Sequence, residues 1–337
     1  MRILALAAAW AAAVFTAASP VAARRADPVQ TNPGGTGAAL TVLELRPNFF
    51  MIAGAGGNIG VQVGDDGVVV VDAGLASNAE AVVAAIKAKT PRPIRYVINT
   101  GADADHVGGN PTLSRAGQTL FTGGGGPGIS AGFIGGAASI LSHEKVLARV
   151  SAASAAGPAL AGAGWPTETF HQPRKYMYLN GEGIEVLHQA AAHTDGDAIV
   201  VFRRSDVIVA GDVLDTTRFP VIDVERGGTV DGEIAALNRL VDIAIPSVPI
   251  VSREEGTLVI PGHGRVCDQL DVVEYRDMVT IVRDRVRDLM RAGASLEQVK
   301  AAAPARGYTR RYGSDTGPWT TTAFVEAVYR SLARARP

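Results

Sequence analysis

The segment Thr100-Gly101-Ala102-Asp103-Ala104-Asp105-His106-Val107-Gly108-Gly109-Asn110 constrains this chain more than any other. It follows the apolar run Ile94–Asn99 and places two acids, a histidine and two adjacent glycines in one short loop. Neighbouring residues on a strand point to opposite faces, so Asp105 and His106 can serve one ligand only from a turn. Gly108-Gly109 is expected to provide a turn that admits unusual dihedrals. A carboxylate beside an imidazole is a suitable donor pair for zinc or iron. Taken alone, an Asp-His pair in a Gly-rich turn is explained as well by an ordinary surface turn, so the reading depends on partners elsewhere in the chain.

With 337 residues, 47% of them apolar, the chain is long enough for one large domain or two small ones and for a sizeable core. The formal charge is −1 and no basic stretch occurs, which excludes nucleic acid as an expected partner. Arg2, the apolar run Ile3–Ala18 and the small residues Val21-Ala22-Ala23 have the layout of a signal peptide spanning residues 1–23. The run falls short of the ~20 residues that span a bilayer. Arg24-Arg25 follows it rather than precedes it, so it is not a twin-arginine signal, and no cysteine stands nearby for lipidation. The expectation is export to the periplasm or the exterior, with no stable membrane anchor after cleavage. Cys267 is the only cysteine, so no intramolecular disulfide forms. It lies four residues past His263, within range of a ligand role, but a small buried side chain is the simpler reading.

Residues 24–40 read as a flexible leader. Thr41–Leu45, Phe49–Ala53, Gly60–Val63 and Val68–Asp72 read as strands, Asn78–Lys89 as a helix, and Ile94–Asn99 as a buried strand. Asn110-Pro111 reads as an N-cap followed by proline at the first helical position. Gly123–Gly136 is a glycine-rich, uncharged loop: a flap, a close approach to a ligand, or a plain surface loop. Ser139–Ser151 is predicted helical, and Ala152–Gly164 a connection. A second strand-rich region follows, with Lys175–Leu179, Ile184–Gln189, Ala198–Arg203 and Val207–Ala210, then a helix over Asp231–Ile245 and a last strand over Thr257–Ile260. Helices at Val272–Arg291, Ser295–Ala302 and Thr321–Ala333 close the chain. Strands plus helix occur twice without long alternation, which suggests two sheets packed face to face with helices outside.

Four motifs, each at an expected strand end, now stand in order: Asp105-His106-Val107-Gly108-Gly109-Asn110, then His193-Thr194-Asp195-Gly196, Gly211-Asp212, and Pro261-Gly262-His263-Gly264. Together they resemble the metallo-β-lactamase superfamily, whose loop pattern is His-x-His-x-Asp-His. The resemblance runs from about Thr41 to Cys267. It implies an α+β fold, a four-layer αββα sandwich, over residues 41–268, with residues 269–337 as a C-terminal helical extension packed on it. It also implies that Asp105, His106 and His263 hold a metal with Asp212 as a bridging or fourth ligand, that His193 serves the other metal position, and that Asp72 in Val-Val-Asp-Ala-Gly braces the site from behind. The two leading histidines of the family are absent: Gly101 offers no ligand and Asp103 offers a hard oxygen. His188 is left unassigned, as a core or surface residue.

These departures set the expectations. One divalent metal is firmly bound by Asp105, His106, His263 and Asp212, with zinc first and iron or manganese favoured if Asp103 coordinates. Metal is loose or absent on the His193 side. Asp103, Asp105 and Asp212 around one divalent ion leave a charge of −1, so one carboxylate is expected to have a raised pKa, with Asp103 as candidate. Asp103 is either a ligand or an acid/base. The function implied is an exported metal-dependent hydrolase, in which hydroxide generated at the metal attacks an ester, lactone, thioester or amide-type bond of a small molecule, Asp105 orients the water, and His193 holds substrate or oxyanion. A catalytically weak metal-binding module, serving a protein partner or an exported redox pathway, is the alternative. A true β-lactamase is the less favoured third.

Overall fold

The computed structural model describes residues 39–120, 136–156, 162–248 and 256–334. The expected signal peptide, the leader up to residue 38, and the loop Gly123–Gly136 apart from Gly136 lie outside the described residues.

The first half builds β1 (Thr41–Arg46), β2 (Phe49–Ala53), β3 (Ile59–Gly64), β4 (Gly67–Val71), α1 (Ala79–Lys89), β5 (Ile94–Ile98), α2 (Ala104–Val107), α3 (Asn110–Ala116), β6 (Ser139–His143), α4 (Glu144–Ala156) and β7 (Glu168–Phe170). Its seven strands pair in chain order, antiparallel from β1 to β4 and parallel from β4 to β7. The second half supplies β8 (Arg174–Leu179), β9 (Glu182–Gln189), β10 (Asp197–Phe202), β11 (Val207–Asp215), α5 (Val230–Ile243) and β12 (Leu258–His263). These five strands also pair in order, antiparallel except for the parallel pair β11–β12. The helices α6 (Gln269–Arg291), α7 (Leu296–Ala302), α8 (Thr309–Tyr312) and α9 (Thr321–Arg334) follow.

The strand sequences explain the layering. β4 reads Gly-Val-Val-Val-Val, and every residue is buried because both faces of its sheet are covered. Val69 and Val71 point inward, with Phe49, Met51 and Ile98, onto Val186, Val200, Phe202 and Val209 of the second sheet. Val68 and Val70 point outward, onto Val82, Val83 and Ile86 of α1 and Leu113 of α3. On the far side, Ile199, Val201 and Ile208 pack against Leu237 and Leu240 of α5, Val279 and Val282 of α6, and Phe324 and Val328 of α9. The molecule is therefore helix, sheet, sheet, helix, and the C-terminal helices share one core with the second sheet. Burying each such side chain contributes roughly 1.5–3 kcal/mol before conformational entropy is set against it.

Three sequence expectations need correcting. Ser139–Ser151 is not one helix: Ser139–His143 is the parallel strand β6 between β5 and β7, and the helix begins at Glu144. Strand pairing on both edges overrides local helix preference there. The strand before Asp72 stops at Val71, because Asp72 has φ 64°, outside the extended region. Asn110 is not a cap: it opens α3 with Gly109 before it, and its side chain turns back into the core. The short β7, α2 and α8 are additions that no periodicity announced.

Candidate metal centre

The key loop leaves β5 and is clamped before it reaches its ligands. Asn99 and Asn110 hydrogen-bond each other reciprocally at 3.0 and 2.8 Å. Asn99 also donates to the His106 carbonyl at 3.0 Å, and Asn110 to that of Gly164 at 3.0 Å. Asp105 and His106 then sit in the single helical turn α2, the turn that adjacent ligands require. Gly108 and Gly109 have ordinary helical dihedrals, with φ −59° and −80°, so unusual backbone is not their purpose. Their role is space: a Cβ on either would overlap backbone, Ala104 and Ala76 for Gly108, and the Ala73 carbonyl for Gly109.

Asp72 lies beneath. Its Oδ1 accepts from the Thr100 amide at 2.8 Å, and its Oδ2 accepts from the Thr100 hydroxyl at 2.6 Å and lies 2.8 Å from His106 Nδ1. That contact makes Nδ1 the donor and leaves Nε2, which faces the Asp212 and Asp105 carboxylates at 3.2 and 4.0 Å, as the nitrogen available to a metal. Gly211, with φ 56°, lets β11 pass Thr100 where a Cβ would collide. Gly262 leaves room for the Asp212 carboxylate.

Two groups of potential ligands result: Asp105, His106 and His263 in one, and Asp103, His193 and Asp212 in the other. Within each group, donor atoms lie no more than 4.8 Å apart. All six sequence candidates therefore converge. Asp212 also approaches the first group, its Oδ2 lying 3.2 Å from His106 Nε2 and its Oδ1 3.6 Å from His263 Nε2, while His263 Nε2 is 3.2 Å from Asp105 Oδ2. On the other side His193 Nε2 is 3.6 Å from Asp103 Oδ2, and its Nδ1 is 3.8 Å from Asp212 Oδ2. The His193 turn is held from behind by Asp197, which accepts from the Thr194 amide at 2.6 Å and hydroxyl at 2.8 Å. A cavity of about 260 Å³ opens over these residues, with Asp215, Arg218 and Val221 on its wall.

Residues 53–120 match the family model for the metallo-beta-lactamase superfamily. Among solved structures, the stereoselective inverting sec-alkylsulfatase Pisa1 from Pseudomonas sp. is similar at TM-score 0.57 and 14% identity, over 86% of this chain and 50% of that one. A double mutant of the sec-alkyl sulfatase PisA1 reaches TM-score 0.60 at 15% identity over the same shares. A metallo-beta-lactamase from Pontibacter korlensis gives 0.53 at 16% identity, over 72% of this chain and 99% of that one. This chain thus spans about half the length of the alkylsulfatases and nearly all of the β-lactamase. No curated protein sequence matches it. The fold is that of the metallo-β-lactamase superfamily.

Within this metallo-β-lactamase fold the two departures have visible consequences. A Cβ added at Gly101 meets nothing within 4 Å among the described residues, so no neighbouring side chain there fills the place of the missing histidine. Asp103 is not a bare carboxylate: Arg226 Nη1 donates to its Oδ1 at 2.9 Å. The sequence charge count omitted this arginine, which lies 123 residues away and which nothing in the pattern marks. Arg218, bound to buried Asp215, was missed in the same way. Cys267 belongs to neither group. It is buried, its Sγ lies 3.3 Å from the Arg265 carbonyl, and burial pushes its thiol up to about 12. His188 is no ligand either. It stacks on His143 with ring centroids 3.6 Å apart, and its Nε2 lies 2.9 Å from the Asp195 carbonyl, so it props the His193 turn.

The electrostatics fit a cation. Burial opposes ionisation of Asp212, but the charges of His106, His193 and His263 and the contact with His106 outweigh it and hold its carboxyl far below the usual range. Burial would lower the pKa of His193, but its contact with Asp197 and the charges of Asp212, Asp197 and Asp103 raise it to about 9. His106 and His263 are raised for the same kind of reason. The histidine protons thus do for the carboxylates what a metal ion would do. Within the two ligand groups, two buried atoms, His106 Nε2 and Asp212 Oδ1, lack a hydrogen-bond partner among the described residues. An imidazole nitrogen and a carboxylate oxygen in that state suit a divalent cation.

Proposed function

We propose that this chain is an exported metal-dependent hydrolase acting on a small molecule, with one divalent cation, zinc first, held by Asp105, His106, His263 and Asp212. The observation that carries the reading is the convergence of these four side chains from three distant segments, with a buried nitrogen and a buried oxygen left without a hydrogen-bond partner among the described residues. Hydrolases of this fold among the similar structures support the reaction class, and the choice among ester, lactone, thioester and amide-type bonds is part of the proposal.

Charge argues for one ion rather than two. Asp103 is paired with Arg226 and Asp215 with Arg218, which leaves Asp105 and Asp212 as the uncompensated carboxylates of the cavity wall. One divalent cation balances them, whereas a second would leave an excess of two positive charges in a poorly solvated space. When bound, such a cation supplies a Lewis acid and brings the pKa of water down toward roughly 7. Asp105 then accepts a hydrogen bond from the attacking water. His193 Nε2, braced by Asp103 Oδ2, donates to the oxygen on which negative charge develops. The Asp103–His193 pair also lies where a leaving atom can take up a proton.

Protein purified without chelators is expected to hold one equivalent of divalent metal by elemental analysis. It is expected to turn over some member of a panel of chromogenic esters, lactones and β-lactams assayed with zinc, manganese and iron. Asp105→Ala and His263→Ala are each expected to lose metal and turnover together. Two tightly held equivalents would refute the single-ion assignment. A silent panel with metal still bound would favour the binding-module reading, to which the missing ligand at Gly101 already lends weight. Export is tested separately, by the N-terminal sequence of the mature protein.

A further inference from the structure

The turn that carries Arg226 is bolted to the loop that carries His193. Arg226 ends a single 3-10 turn, Val224–Arg226, and the side chain of Asp223 caps that turn by accepting from the Arg226 amide at 2.9 Å. The Asp223 amide donates to the His193 carbonyl at 2.9 Å, and the Arg226 carbonyl accepts from the Asp195 amide at 3.0 Å and from Arg149 Nη2 at 2.7 Å. Gly228 passes so close to the His193 carbonyl that a Cβ there would collide with it. From this base the Arg226 side chain crosses to the first half of the sandwich, where Nη1 donates to Asp103 Oδ1 at 2.9 Å, while Nε lies 3.4 Å from Asp223 Oδ2. Asp103 stands at the N-cap of α2, where an aspartate usually accepts from the helix amides, yet its side chain makes no capping bond. Its carboxylate is divided instead between Arg226 and His193, whose Nε2 lies 3.6 Å from Oδ2.

Asp103, His193 and Asp212 bring donor atoms within 4.8 Å of one another, close enough to share a metal ion, and Arg226 puts a fixed positive charge on one of those donors. The three carboxylates of the centre, Asp103, Asp105 and Asp212, are cancelled by Arg226 together with one divalent ion. A second divalent ion beside Arg226 would have no carboxylate left to balance it. Without the arginine charge, one ion would leave a carboxylate uncompensated, and the balance would move toward a second ion. An ion on the remaining oxygen of Asp103 would also face the guanidinium across a single carboxylate, where like charges repel strongly. We infer that Arg226 is the built-in cation of the Asp103–His193–Asp212 position: through Asp103 it takes the charge role of a second metal ion and holds the centre to one. Arg226 acts through Asp103 and is thus a positioning residue. The inference deepens the single-ion reading above and rests on it.

The test counts bound zinc, by calorimetric titration and by elemental analysis after desalting, at one pH. It uses the full chain as wild type, Arg226→Gln, Arg226→Lys and the double variant Arg226→Gln with Asp103→Asn, with circular dichroism measured on each. Wild type is expected to hold one equivalent. Arg226→Gln is expected to take up a second, at least about tenfold more tightly than any second binding by wild type. Arg226→Lys keeps the charge and should stay at one. The double variant should lose the second equivalent and keep the first. The Arg226 side chain is half-exposed, so its replacement should leave the fold intact, and Arg226→Ala repeats the count if Arg226→Gln does not fold. One equivalent in both wild type and Arg226→Gln overturns the proposal and leaves the single-ion reading standing. A second equivalent in Arg226→Lys, or one that survives Asp103→Asn, also overturns it, because charge placed on Asp103 would then not be the cause. Two tight equivalents in wild type, or none, sink the single-ion reading and the proposal with it.

Discussion

Asp72 holds φ at 64°, a backbone conformation that an L-residue accepts at a cost and that Asp and Asn tolerate best. The strain is sustained because one carboxylate takes the Thr100 amide, the Thr100 hydroxyl and His106 Nδ1 together. Asp72→Asn keeps the side-chain shape and the tolerance for that φ, but removes the charge that makes His106 Nε2 a strong donor to metal. Zinc affinity, measured by competition with a chelating dye, is expected to fall about 10–100-fold with the fold intact. An unchanged affinity would show that Asp72 supports the loop alone. At this scale the sequence was legible where residues are close neighbours or stand in strand-end motifs: Asp105, His106, His193, Asp212 and His263 all reach one place. It was silent on Arg226, because an arginine pairing across 123 positions leaves no periodicity and no motif, and on Arg218, whose partner Asp215 is only three residues away but belongs to no motif that the sequence singles out. It misjudged Asn110 and Gly108-Gly109 because a cap and a turn are the usual uses of those residues. A buried amide pair and a backbone-to-backbone approach are tertiary facts.

The helix α5 shows what an element's own pattern contains and omits. Its buried stripe runs Val230, Glu233, Ile234, Leu237 and Leu240, the spacing of an amphipathic helix with an acid inside it. Both Glu233 carboxyl oxygens lack hydrogen-bond partners among the described residues. Burial first, then the negative charges of Asp197 and Asp212, push its carboxyl well above the usual range. The unfolded chain ionises near 4.5 while the folded chain keeps the proton, so stability declines as pH rises above that value toward the folded one. Glu233→Met removes the orphaned group at similar volume. It is expected to raise unfolding free energy by roughly 1–3 kcal/mol near neutral pH, with a gain that shrinks as pH falls toward about 5. Urea titrations at the two pH values check both the sign and the trend, and a gain independent of pH would remove ionisation as its cause. Most elements were legible because alternating or helical apolar spacing survives burial. β6 was not, since Ser-Ile-Leu-Ser-His is too short to show a period and becomes a strand only by pairing with β5 and β7.

At the scale of the whole molecule, the candidate centre ties the two halves of the sandwich together: Asp72, Asp103, Asp105 and His106 come from the first, His193, Asp212 and His263 from the second. Two sheets and their order of layers were readable from two strand-rich regions, but which strand ends would meet was supplied by the resemblance and is now given by geometry. That convergence makes the ionisation of the cluster part of the stability of the fold. In the metal-free protein each histidine with a raised pKa contributes stability in full below about 6.5, its unfolded value, and loses it as pH rises through the folded value, about 9 for His193. The carboxylates Asp105 and Asp212, whose pKa values are lowered, act in the opposite sense, but only below the usual carboxylate range. Between about pH 6 and about pH 9 the metal-free protein should therefore lose stability. A cation needs His106 and His263 unprotonated, so its affinity should rise over the same interval. The increase in Tm on adding zinc is then expected to be small near pH 6 and to grow toward pH 9, because the ion replaces protons that the cluster is giving up. A zinc-induced shift that stays flat across that interval would mean that the ion binds away from these histidines, and the assignment of Asp105, His106, His263 and Asp212 would fail with it.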